Sequence, residues 1–533
     1  MATTDDRYVL GGRRTPDPLH VSSESHPRRR RTPWVVVAMA LTTGCASLPT
    51  GYERTETAAL TDTGDTSLGE AVSRWTAANN GQSGFYPLPA GLDALGARLA
   101  LIDKAERSID AQYFLIKDDS AGLIFAGKLV EAADRGVRVR FLLDDVFTTV
   151  ADEDLLRLDE HPNIEIRLFN PIARGGISVL NFLLDFKTAN RRMHNKSFTV
   201  DNQATIVGGR NIADEYFQLT ADAEFVDFDM LAFGPVAPGV SATFDRFWNH
   251  QLAVPFSAFE IGDEGLPALR EELNAAMQTT GDSIYRQAID TPLVQDLLNR
   301  NATLFPADAE VITDDPDKLL NEISRDQQIL ITRMADVVAA ARQEVIVSTP
   351  YFVPGDEGVA FWKSVVDSGV KVSIVTNSLA STNHIAVHSA YAGYRKQLLH
   401  AGVDLYEVRA NAVAEAEATS GEQPDSLTLH TKAALIDGRY TFVGSLNLDP
   451  RSIDINTEMG VLVDATALAE PLTERFKQRL PELAYKLELD DRGKILWRAT
   501  IDGQEVVEAG EPLASRGRKF NAWVQKIAPE SQM

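Results

Sequence analysis

The sequence predicts an α/β fold made of two duplicated lobes, in which mixed β-sheets are flanked by helices and a functional site lies at the pseudo-dyad interface between the lobes. Three observations lead to this prediction. Short segments with strand-like alternation are followed by segments with helical periodicity, as in βαβ units. The same order of segments occurs twice along the 533 residues. One polar motif is repeated within that order.

The amino-terminal segment is predicted to be a leader and a lipoprotein-type signal over residues 1–45. Four arginines at 28–31 precede an apolar stretch at 34–41 and the small residues before Cys45, which is the layout of a secretory signal. About 8–10 apolar residues are too few to span a bilayer, which needs roughly 20. The end of this segment resembles a bacterial lipobox, which implies lipidation of Cys45 and a membrane-anchored lipoprotein facing the periplasm or cell envelope. An uncleaved anchor and a buried Cys45 are the alternatives.

The rest of the chain divides into two lobes and three flanking segments. In lobe 1, strand-like residues 108–114 precede a helical segment and a second strand at 136–143, and 344–352 and 369–376 repeat this order in lobe 2. Threonine, glycine, alanine and aspartate predominate before lobe 1, which predicts a flexible tether. The predicted segments are a tether at 46–85, lobe 1 at 86–255, an inter-lobe connection at 256–326, lobe 2 at 327–495 and a C-terminal extension at 496–533.

A polar motif with the pattern H-x-K-x₄-D-x₆-G-[GS]-x-N occurs once in each lobe. The copy in lobe 1 begins at His194 and the copy in lobe 2 begins at His430, 236 residues later. Two matches at the same place in two lobes exclude coincidence. A His-x-Lys sequence in a strand places both side chains on one face, because alternate residues of a strand point the same way.

The residue types of this motif are suited to phosphoryl transfer. Two facing lobes would enclose a phosphate between two imidazoles, two ammonium groups and two amides. The ammonium groups would stabilise charge on the phosphate oxygens without a metal. One imidazole could attack phosphorus while the other protonates the leaving alcohol. The predicted catalytic residues are His194, His430, Lys196, Lys432, Asp201 and Asp437, and the predicted phosphate ligands are Asn211, Asn447 and Ser445.

Each motif is associated with two carboxylates, one within the motif and one that follows it. Asp229 and Glu458 follow the two motifs at corresponding places, and we predict that they orient the histidines, since a carboxylate can hold an imidazole in one tautomer and raise its basicity. Asp201 and Asp437 complete the motif itself. Seven residues after the histidine, they end the strand on its opposite face, which favours a structural role over direct chemistry.

The duplicated motif resembles that of the phospholipase D superfamily, and the resemblance extends from about residue 86 to the carboxyl terminus. It implies a covalent phosphohistidine intermediate, with His194 as the nucleophile and His430 as the general acid, while the reverse assignment stays open. It also implies a position in the substrate groove for His388. Segments similar to the bacterial cardiolipin synthase C type are 191–201, 207–212, 449–452, 456–460 and 529–533.

The resemblance implies a phosphatidyltransferase that makes cardiolipin, with phosphatidylglycerol and phosphatidylethanolamine as substrates and a membrane as its setting. The first alternative is a phospholipase D that uses water as acceptor and releases phosphatidic acid. A nuclease is disfavoured by the net charge of −24, because an acidic surface repels a polyphosphate backbone. A non-catalytic lipid-binding lipoprotein is disfavoured because a binder would not need two positioned imidazoles.

Composition narrows the remaining classes. With 44% hydrophobic and 24% charged residues, the chain is neither disordered nor a polytopic membrane protein. Its single cysteine excludes intramolecular disulfides and multi-cysteine zinc sites. His384 and His388 lie four residues apart but lack the acidic residue of a helical zinc motif. We therefore expect no metal or other cofactor, no nucleic-acid partner and no obligate protein partner.

Overall fold

The computed structural model of the protein describes residues 48–146, 148–172, 190–220, 224–259, 265–321, 324, 327–412 and 427–525. The predicted signal at 1–45, including Cys45, and the segment 529–533 lie outside the described residues. Within these ranges, no helix combines the length and the apolar character needed to cross a membrane.

Twenty β-strands are found in the described ranges. They are β1 (Ser83–Leu88), β2 (Ser108–Tyr113), β3 (Arg138–Asp144), β4 (Ile164–Phe169), β5 (Ser197–Val200), β6 (Ala204–Gly208), β7 (Glu224–Val226), β8 (Asp229–Phe233), β9 (Ala253–Pro255), β10 (Phe305–Thr313), β11 (Glu344–Ser348), β12 (Lys371–Asn377), β13 (Asp404–Val408), β14 (Leu427–Leu429), β15 (Ala433–Ile436), β16 (Tyr440–Gly444), β17 (Met459–Asp464), β18 (Ala484–Leu489), β19 (Ile495–Ile501) and β20 (Gln504–Glu508).

Fourteen α-helices accompany these strands in the same part of the chain. They are α1 (Ser67–Ala78), α2 (Gly91–Lys104), α3 (Ser120–Asp134), α4 (Asp152–Asp159), α5 (Val236–Trp248), α6 (Leu266–Ala276), α7 (Asp282–Ile289), α8 (Pro292–Leu298), α9 (Ile329–Ala339), α10 (Gly355–Asp367), α11 (Ile385–His400), α12 (Pro450–Asp454), α13 (Thr466–Leu483) and α14 (Arg516–Gln525). Short 3₁₀ helices lie at Asp214–Tyr216, Phe256–Ala258 and Pro316–Leu319, and a π-helical turn lies at Met277–Gly281.

Eighteen of the strands form one sheet that runs through both lobes. The strand pairings give the order β9-β4-β3-β2-β5-β6-β8-β1-β10-β17-β16-β15-β11-β12-β13-β18-β19-β20. The order β8-β6-β5-β2-β3-β4-β9 in lobe 1 matches the order β17-β16-β15-β11-β12-β13-β18 in lobe 2, strand by strand. The prediction of two duplicated lobes with mixed sheets is therefore confirmed, and β1 and β10 meet at the centre.

Helices cover both faces of the sheet, because alternate residues of each strand point to opposite sides. In lobe 1, Phe141 packs into one core with Phe125 of α3. Its neighbour Leu142 packs into another core with Phe244 of α5. Lobe 2 repeats this arrangement with α10 and α11 on one face and α13 on the other.

The prediction of a flexible tether at 46–85 is wrong for the part that is described. Residues 67–78 form α1, whose N-cap Thr66 accepts the backbone N–H of Gly69. The segment before α1 is bonded to lobe 1, where the indole N–H of Trp248 donates to the hydroxyl of Thr57 (2.9 Å). Threonines that suggested a tether by composition therefore serve as caps and hydrogen-bond acceptors. The end of the segment enters β1, the innermost strand of lobe 1.

The predicted connection and C-terminal extension also belong to the compact fold. Helices α6 and α7 of the connection pack against α3 and α2 of lobe 1 and so support that lobe. Strand β10, in the same segment, is the innermost strand of lobe 2. Strands β19 and β20 extend the sheet at the far edge of lobe 2, and α14 packs against α11.

Candidate active site

Each motif histidine lies just before a strand of its own lobe, while its backbone is bonded to the other lobe. The N–H of His194, before β5, donates to the carbonyl oxygen of Thr457 in lobe 2 (3.0 Å). The N–H of His430, before β15, donates to the carbonyl oxygen of Val226 in lobe 1 (2.8 Å). Just upstream of His430, β14 pairs with β7 of lobe 1. These reciprocal contacts bring both motifs to the interface between the lobes.

Each histidine also contacts a carboxylate of the opposite lobe. Nδ1 of His194 lies 2.9 Å from Oε2 of Glu458 and 3.1 Å from Oε1. Nδ1 of His430 lies 2.6 Å from Oδ2 of Asp227. All four side chains are buried. A ring that donates its Nδ1–H to a carboxylate keeps its lone pair on Nε2, so His194 is held in the tautomer that can attack a substrate. Nδ1 of His430 also lies 3.1 Å from Nζ of Lys432.

The prediction that Asp229 orients a histidine is wrong, because Asp227 makes this contact. The carboxylate of Asp229 accepts a hydrogen bond from Nη2 of Arg98 (2.8 Å) and one from the backbone N–H of Arg210 (3.3 Å). Asp229 is fully buried, and so is Arg98 to within a few per cent. Asp229 therefore neutralises a buried arginine behind the site.

The register of the central strands explains this difference. Asp229 pairs with Gly208 in lobe 1, and Gly460 pairs with Gly444 in lobe 2. Asp229 is therefore the structural equivalent of Gly460. Glu458 lies two residues before Gly460, so its counterpart lies two residues before Asp229. The Phe-Asp-Met and Thr-Glu-Met sequences align Asp229 with Glu458 through their methionines, which is two residues away from the true register.

The turn after each motif supports the carboxylate of its own lobe. A Cβ atom at Gly209 would lie 2.3 Å from Oδ1 of Asp227, so only glycine allows this approach. At the equivalent position in lobe 2, the Ser445 hydroxyl donates to Glu458 (2.5 Å) and accepts the backbone N–H of Met459 (3.0 Å). Ser445 was predicted as a phosphate ligand, but its hydroxyl holds Glu458 instead.

The two motif lysines are buried beside the histidines. Nζ of Lys196 donates to the carbonyl oxygen of His194 (2.7 Å), and Nζ of Lys432 donates to that of His430 (2.5 Å). Burial lowers the pKa of Lys196 to about 7 and that of Lys432 to about 8. An anion between the two ammonium groups would compensate for their lost hydration and favour their charged forms, which makes this pair a site for a phosphate group.

The motif asparagines lie in the same buried site. Nδ2 of Asn211 is 2.9 Å from the hydroxyl of Tyr216. Oδ1 of Asn211 and Oδ1 of Asn447 are buried and have no hydrogen-bond partner in the described part of the chain. Rotating the Asn211 amide by 180° would let the Tyr216 hydroxyl donate to Oδ1 and leave Nδ2 for a phosphate oxygen. Both positions are therefore compatible with the predicted role as phosphate ligands.

Asp201 and Asp437 are engaged at the far end of the motif strands. The carboxylate of Asp201 accepts the backbone N–H groups of residues 106–108 at 2.8–3.3 Å. Asp437 accepts those of residues 342–344 at 2.8–3.0 Å. Each aspartate thus fixes the chain before the strand that pairs with its motif. The structure supports the structural alternative for both and gives neither a place among the reacting groups.

Aromatic rings surround both histidines. The ring of His194 meets Phe114 edge-on with 4.9 Å between centroids, and His430 stacks on Phe225 at 5.3 Å.

Burial, together with the positive charge of Lys196, lowers the pKa of His194 to about 4, and Glu458 offsets this only in part. Burial and the nearby lysines hold the pKa of His430 well below its usual value. Both rings are therefore neutral at pH 7 before substrate binds.

The two orienting carboxylates differ from each other. Burial raises the pKa of Asp227 despite the neighbouring charges of Lys432 and Arg210. Burial also acts on Glu458, but the interactions with His194 and Lys196 and the hydrogen bond from Ser445 outweigh it, so the pKa of Glu458 is lowered. Glu458 is therefore the carboxylate that stays ionised more readily, whereas burial favours the protonated form of Asp227.

No group of His, Cys, Asp and Glu side chains suited to a metal ion occurs among the described residues.

His388 is buried; its Nδ1–H donates to the carbonyl oxygen of Asn377 (3.1 Å) and its Nε2 accepts from Arg395 (2.9 Å). Both ring nitrogens are thus engaged inside lobe 2, and His388 has a structural role in place of the groove position.

Comparisons with known proteins agree with this architecture. A family model described as "Cardiolipin synthase, PLD-like domain" matches residues 99–248 and 334–480. The chain is 37% identical over 468 residues to cardiolipin synthase C of Escherichia coli strain K12, covering 87% of this chain and 98% of that protein. It is 26% identical over 389 residues to a cardiolipin synthase of Oceanobacillus iheyensis, covering 73% and 66%. A crystal structure of phosphatidylserine synthase from Haemophilus influenzae shares the fold, with a TM-score of 0.52, 14% identity and coverage of 78% and 91%.

Proposed function

Because the chain belongs to the cardiolipin synthase family with phospholipase D-like domains, we propose that it joins two phospholipids into cardiolipin through a phosphohistidine intermediate. It is a phosphatidyltransferase of the phospholipase D type. The observation that carries the mechanism is the pair of buried histidines, each bonded through Nδ1 to a carboxylate of the opposite lobe.

In the first step, Nε2 of His194 attacks the phosphorus atom of the donor lipid. The N–P bond forms as the bond from phosphorus to the headgroup oxygen breaks, and His430 gives its Nε2 proton to the departing alcohol. The ionised Glu458 favours the nucleophilic role for His194, since it stabilises the positive charge that develops on the ring. Asp227 supports the general-acid role of His430, because its carboxylate accepts the Nδ1–H of the charged ring.

In the second step, the hydroxyl of an acceptor lipid attacks the phosphohistidine. The hydroxyl proton goes to His430, the new P–O bond forms and the N–P bond breaks, which restores His194. Lys196 and Lys432 stabilise the phosphoryl oxygens in both steps. A bound phosphodiester anion also raises the pKa of His430 above its value in the free protein, so the general acid becomes charged when the substrate is present.

Hydrolysis to phosphatidic acid is the second candidate, with water in place of the acceptor lipid. The small exposure of the histidine side chains, 10% for His194 and 7% for His430, favours transfer, because a buried intermediate is shielded from water. Phosphatidylglycerol and phosphatidylethanolamine are the proposed substrates. Lipidation of Cys45 would hold the protein on a membrane facing the periplasm or cell envelope.

The test is to incubate purified protein with labelled phosphatidylglycerol, with and without phosphatidylethanolamine, and to separate the lipid products. Labelled cardiolipin is expected, and a change of its yield with phosphatidylethanolamine would identify the second substrate. Phosphatidic acid as the only labelled product would contradict the transferase and support hydrolysis.

A further inference from the structure

The C-terminal helix α14 carries the most exposed apolar side chains of the described residues. Phe520 is 65% exposed, Trp523 66% and Val524 42%, and no residue of the helix is buried. Eight large apolar side chains are exposed in the described ranges, and four of them lie between positions 513 and 524. An apolar cluster of this kind on a soluble surface marks an interaction site.

The exposed residues form one stripe along α14. Arg516, Lys519, Phe520 and Trp523 follow the spacing i, i+3, i+4, i+7, which places them on one side of the helix. The rings of Phe520 and Trp523 stack with 6.0 Å between centroids. Residues 512–525 contain three basic and no acidic side chains, although the whole chain has a net charge of −24. The stripe is therefore both apolar and locally cationic.

The opposite side of α14 is bonded to the loop that supports the second motif. Nε of Arg518 donates to the carbonyl oxygen of Leu379 (2.9 Å), and its Nη2 donates to that of Thr382. Within this loop, the carbonyl oxygen of Ser381 accepts the hydroxyl of Thr428 (2.7 Å) in β14. The next residues after β14 begin the second motif at His430. The stripe thus lies on a helix that is bonded to the loop supporting β14, the strand that leads into the second motif.

We propose that α14 docks the protein on an anionic phospholipid bilayer, with Phe520 and Trp523 inserted at the headgroup level and Arg516 and Lys519 on the lipid phosphates. Aromatic residues are favoured at the membrane interface, where part of the ring is apolar and part is wet. Basic residues beside them attract anionic lipid. The docking would present the active site to its substrate, and in that respect alone it rests on the proposed function.

The test compares variants of the full chain in a common Cys45→Ser background, so that acyl chains do not contribute. Their partition onto vesicles of phosphatidylglycerol and phosphatidylethanolamine is measured by sedimentation without turnover. Phe520→Ser/Trp523→Ser is expected to lower the partition about tenfold or more. Ile329→Ser/Val507→Ser, which removes two apolar side chains of 45% and 46% exposure elsewhere, is the matched control and should bind normally. Unchanged thermal unfolding would show that both variants fold.

Two further measurements define the partner. Arg516→Gln/Lys519→Gln should weaken binding to phosphatidylglycerol vesicles and leave binding to pure phosphatidylcholine vesicles unchanged. Vesicle addition should shift the Trp523 fluorescence to shorter wavelength, measured as the difference from Trp523→Phe. Equal partition of the aromatic variant and the control would overturn the proposal. Self-association of the parent protein without lipid, lost in the aromatic variant, would also overturn it. Because partition onto vesicles is measured without turnover, this test keeps its meaning even if the transferase assay fails.

Discussion

At the residue scale, the two histidine–carboxylate pairs are equivalent in geometry but not in proton affinity. Ser445 donates to Glu458, whereas its counterpart in lobe 1 is Gly209, which has no side chain to support Asp227. Against the effect of burial, the interactions with His194 and Lys196 and a smaller one with Ser445 lower the pKa of Glu458, whereas burial raises the pKa of Asp227. The duplication has therefore diverged at this turn, where a side-chain hydroxyl holds the carboxylate of lobe 2 and a glycine stands in lobe 1.

Substitution of the two aspartates near β8 separates their roles. Asp227→Asn should lower turnover by about 10–100-fold and shift the pH–rate profile, because His430 loses its partner. Asp229→Asn should instead lower the free energy of unfolding by roughly 3–5 kcal/mol, since Arg98 is left as an unpaired buried charge. Kinetics across pH and denaturant unfolding measure the two effects. A pH profile that shifts only in Asp229→Asn would reverse this assignment.

The two histidines should differ in their ability to form the covalent intermediate. With a p-nitrophenyl phosphodiester, whose leaving group needs no protonation, His430→Ala is expected to accumulate a phosphohistidine and His194→Ala to form none. Acid-quenched samples analysed by mass spectrometry locate the adduct. An adduct on His430 in the His194→Ala protein would reverse the roles, and the absence of an adduct from both would argue against the covalent route.

Lys196→Met should exchange activity for stability. Loss of one ammonium from the phosphate site should lower turnover about 10²–10³-fold. In the folded protein the pKa of Lys196 is about 7, against the usual 10.5, so the unfolded chain binds the extra proton between these values and the stability of the parent protein rises with pH across this window. The variant should therefore be more stable than the parent at pH 7 and below, and this difference should vanish toward pH 10.5. Urea unfolding at both ends of the window is the measurement.

At the scale of elements, the sequence predicted what repeats and missed what does not. The twin motif placed both histidines, both lysines and the interface, because a pattern of fixed spacing is visible without a structure. Asp227 was missed because the loop before β8 has its own length, and only the pairing of Asp229 with Gly208 defines the register. The position of β1 at the centre of the sheet was missed for a similar reason. A single strand between polar segments carries no periodic signal, and its place in the sheet is set by pairing with strands distant in sequence.

Phe85→Ala tests the structural role of the segment that composition predicted to be a tether. Phe85 is fully buried in β1, paired with Phe305 of β10 and with Ala232 of β8. Removing its ring should lower the free energy of unfolding by about 3–5 kcal/mol. Leu48→Ala, at a side chain that is 38% exposed, is the control and should change it by less than about 0.5 kcal/mol. Equal effects would restore the tether interpretation.

At the scale of the whole molecule, neither lobe holds a complete histidine site of its own. Glu458 of lobe 2 serves His194 of lobe 1, and Asp227 of lobe 1 serves His430 of lobe 2. The continuous sheet through β1 and β10 fixes the two lobes against each other, so the four groups keep their geometry. The sheet that gives the fold its symmetry therefore also positions the reacting groups.

The two proposals give the chain two membrane attachments of different strength, and Cys45→Ser separates them. A multiply acylated cysteine anchors a protein firmly, whereas an interfacial helix binds reversibly and responds to salt. The variant should lose the mass of the acyl groups and leave the membrane fraction in high salt, while at low salt a weaker association through α14 should persist. Intact mass and detergent phase partition measure the first effect, and flotation at two salt concentrations measures the second. Unchanged mass and unchanged partition in Cys45→Ser would contradict the lipoprotein assignment, because no other cysteine is present to carry the acyl chains.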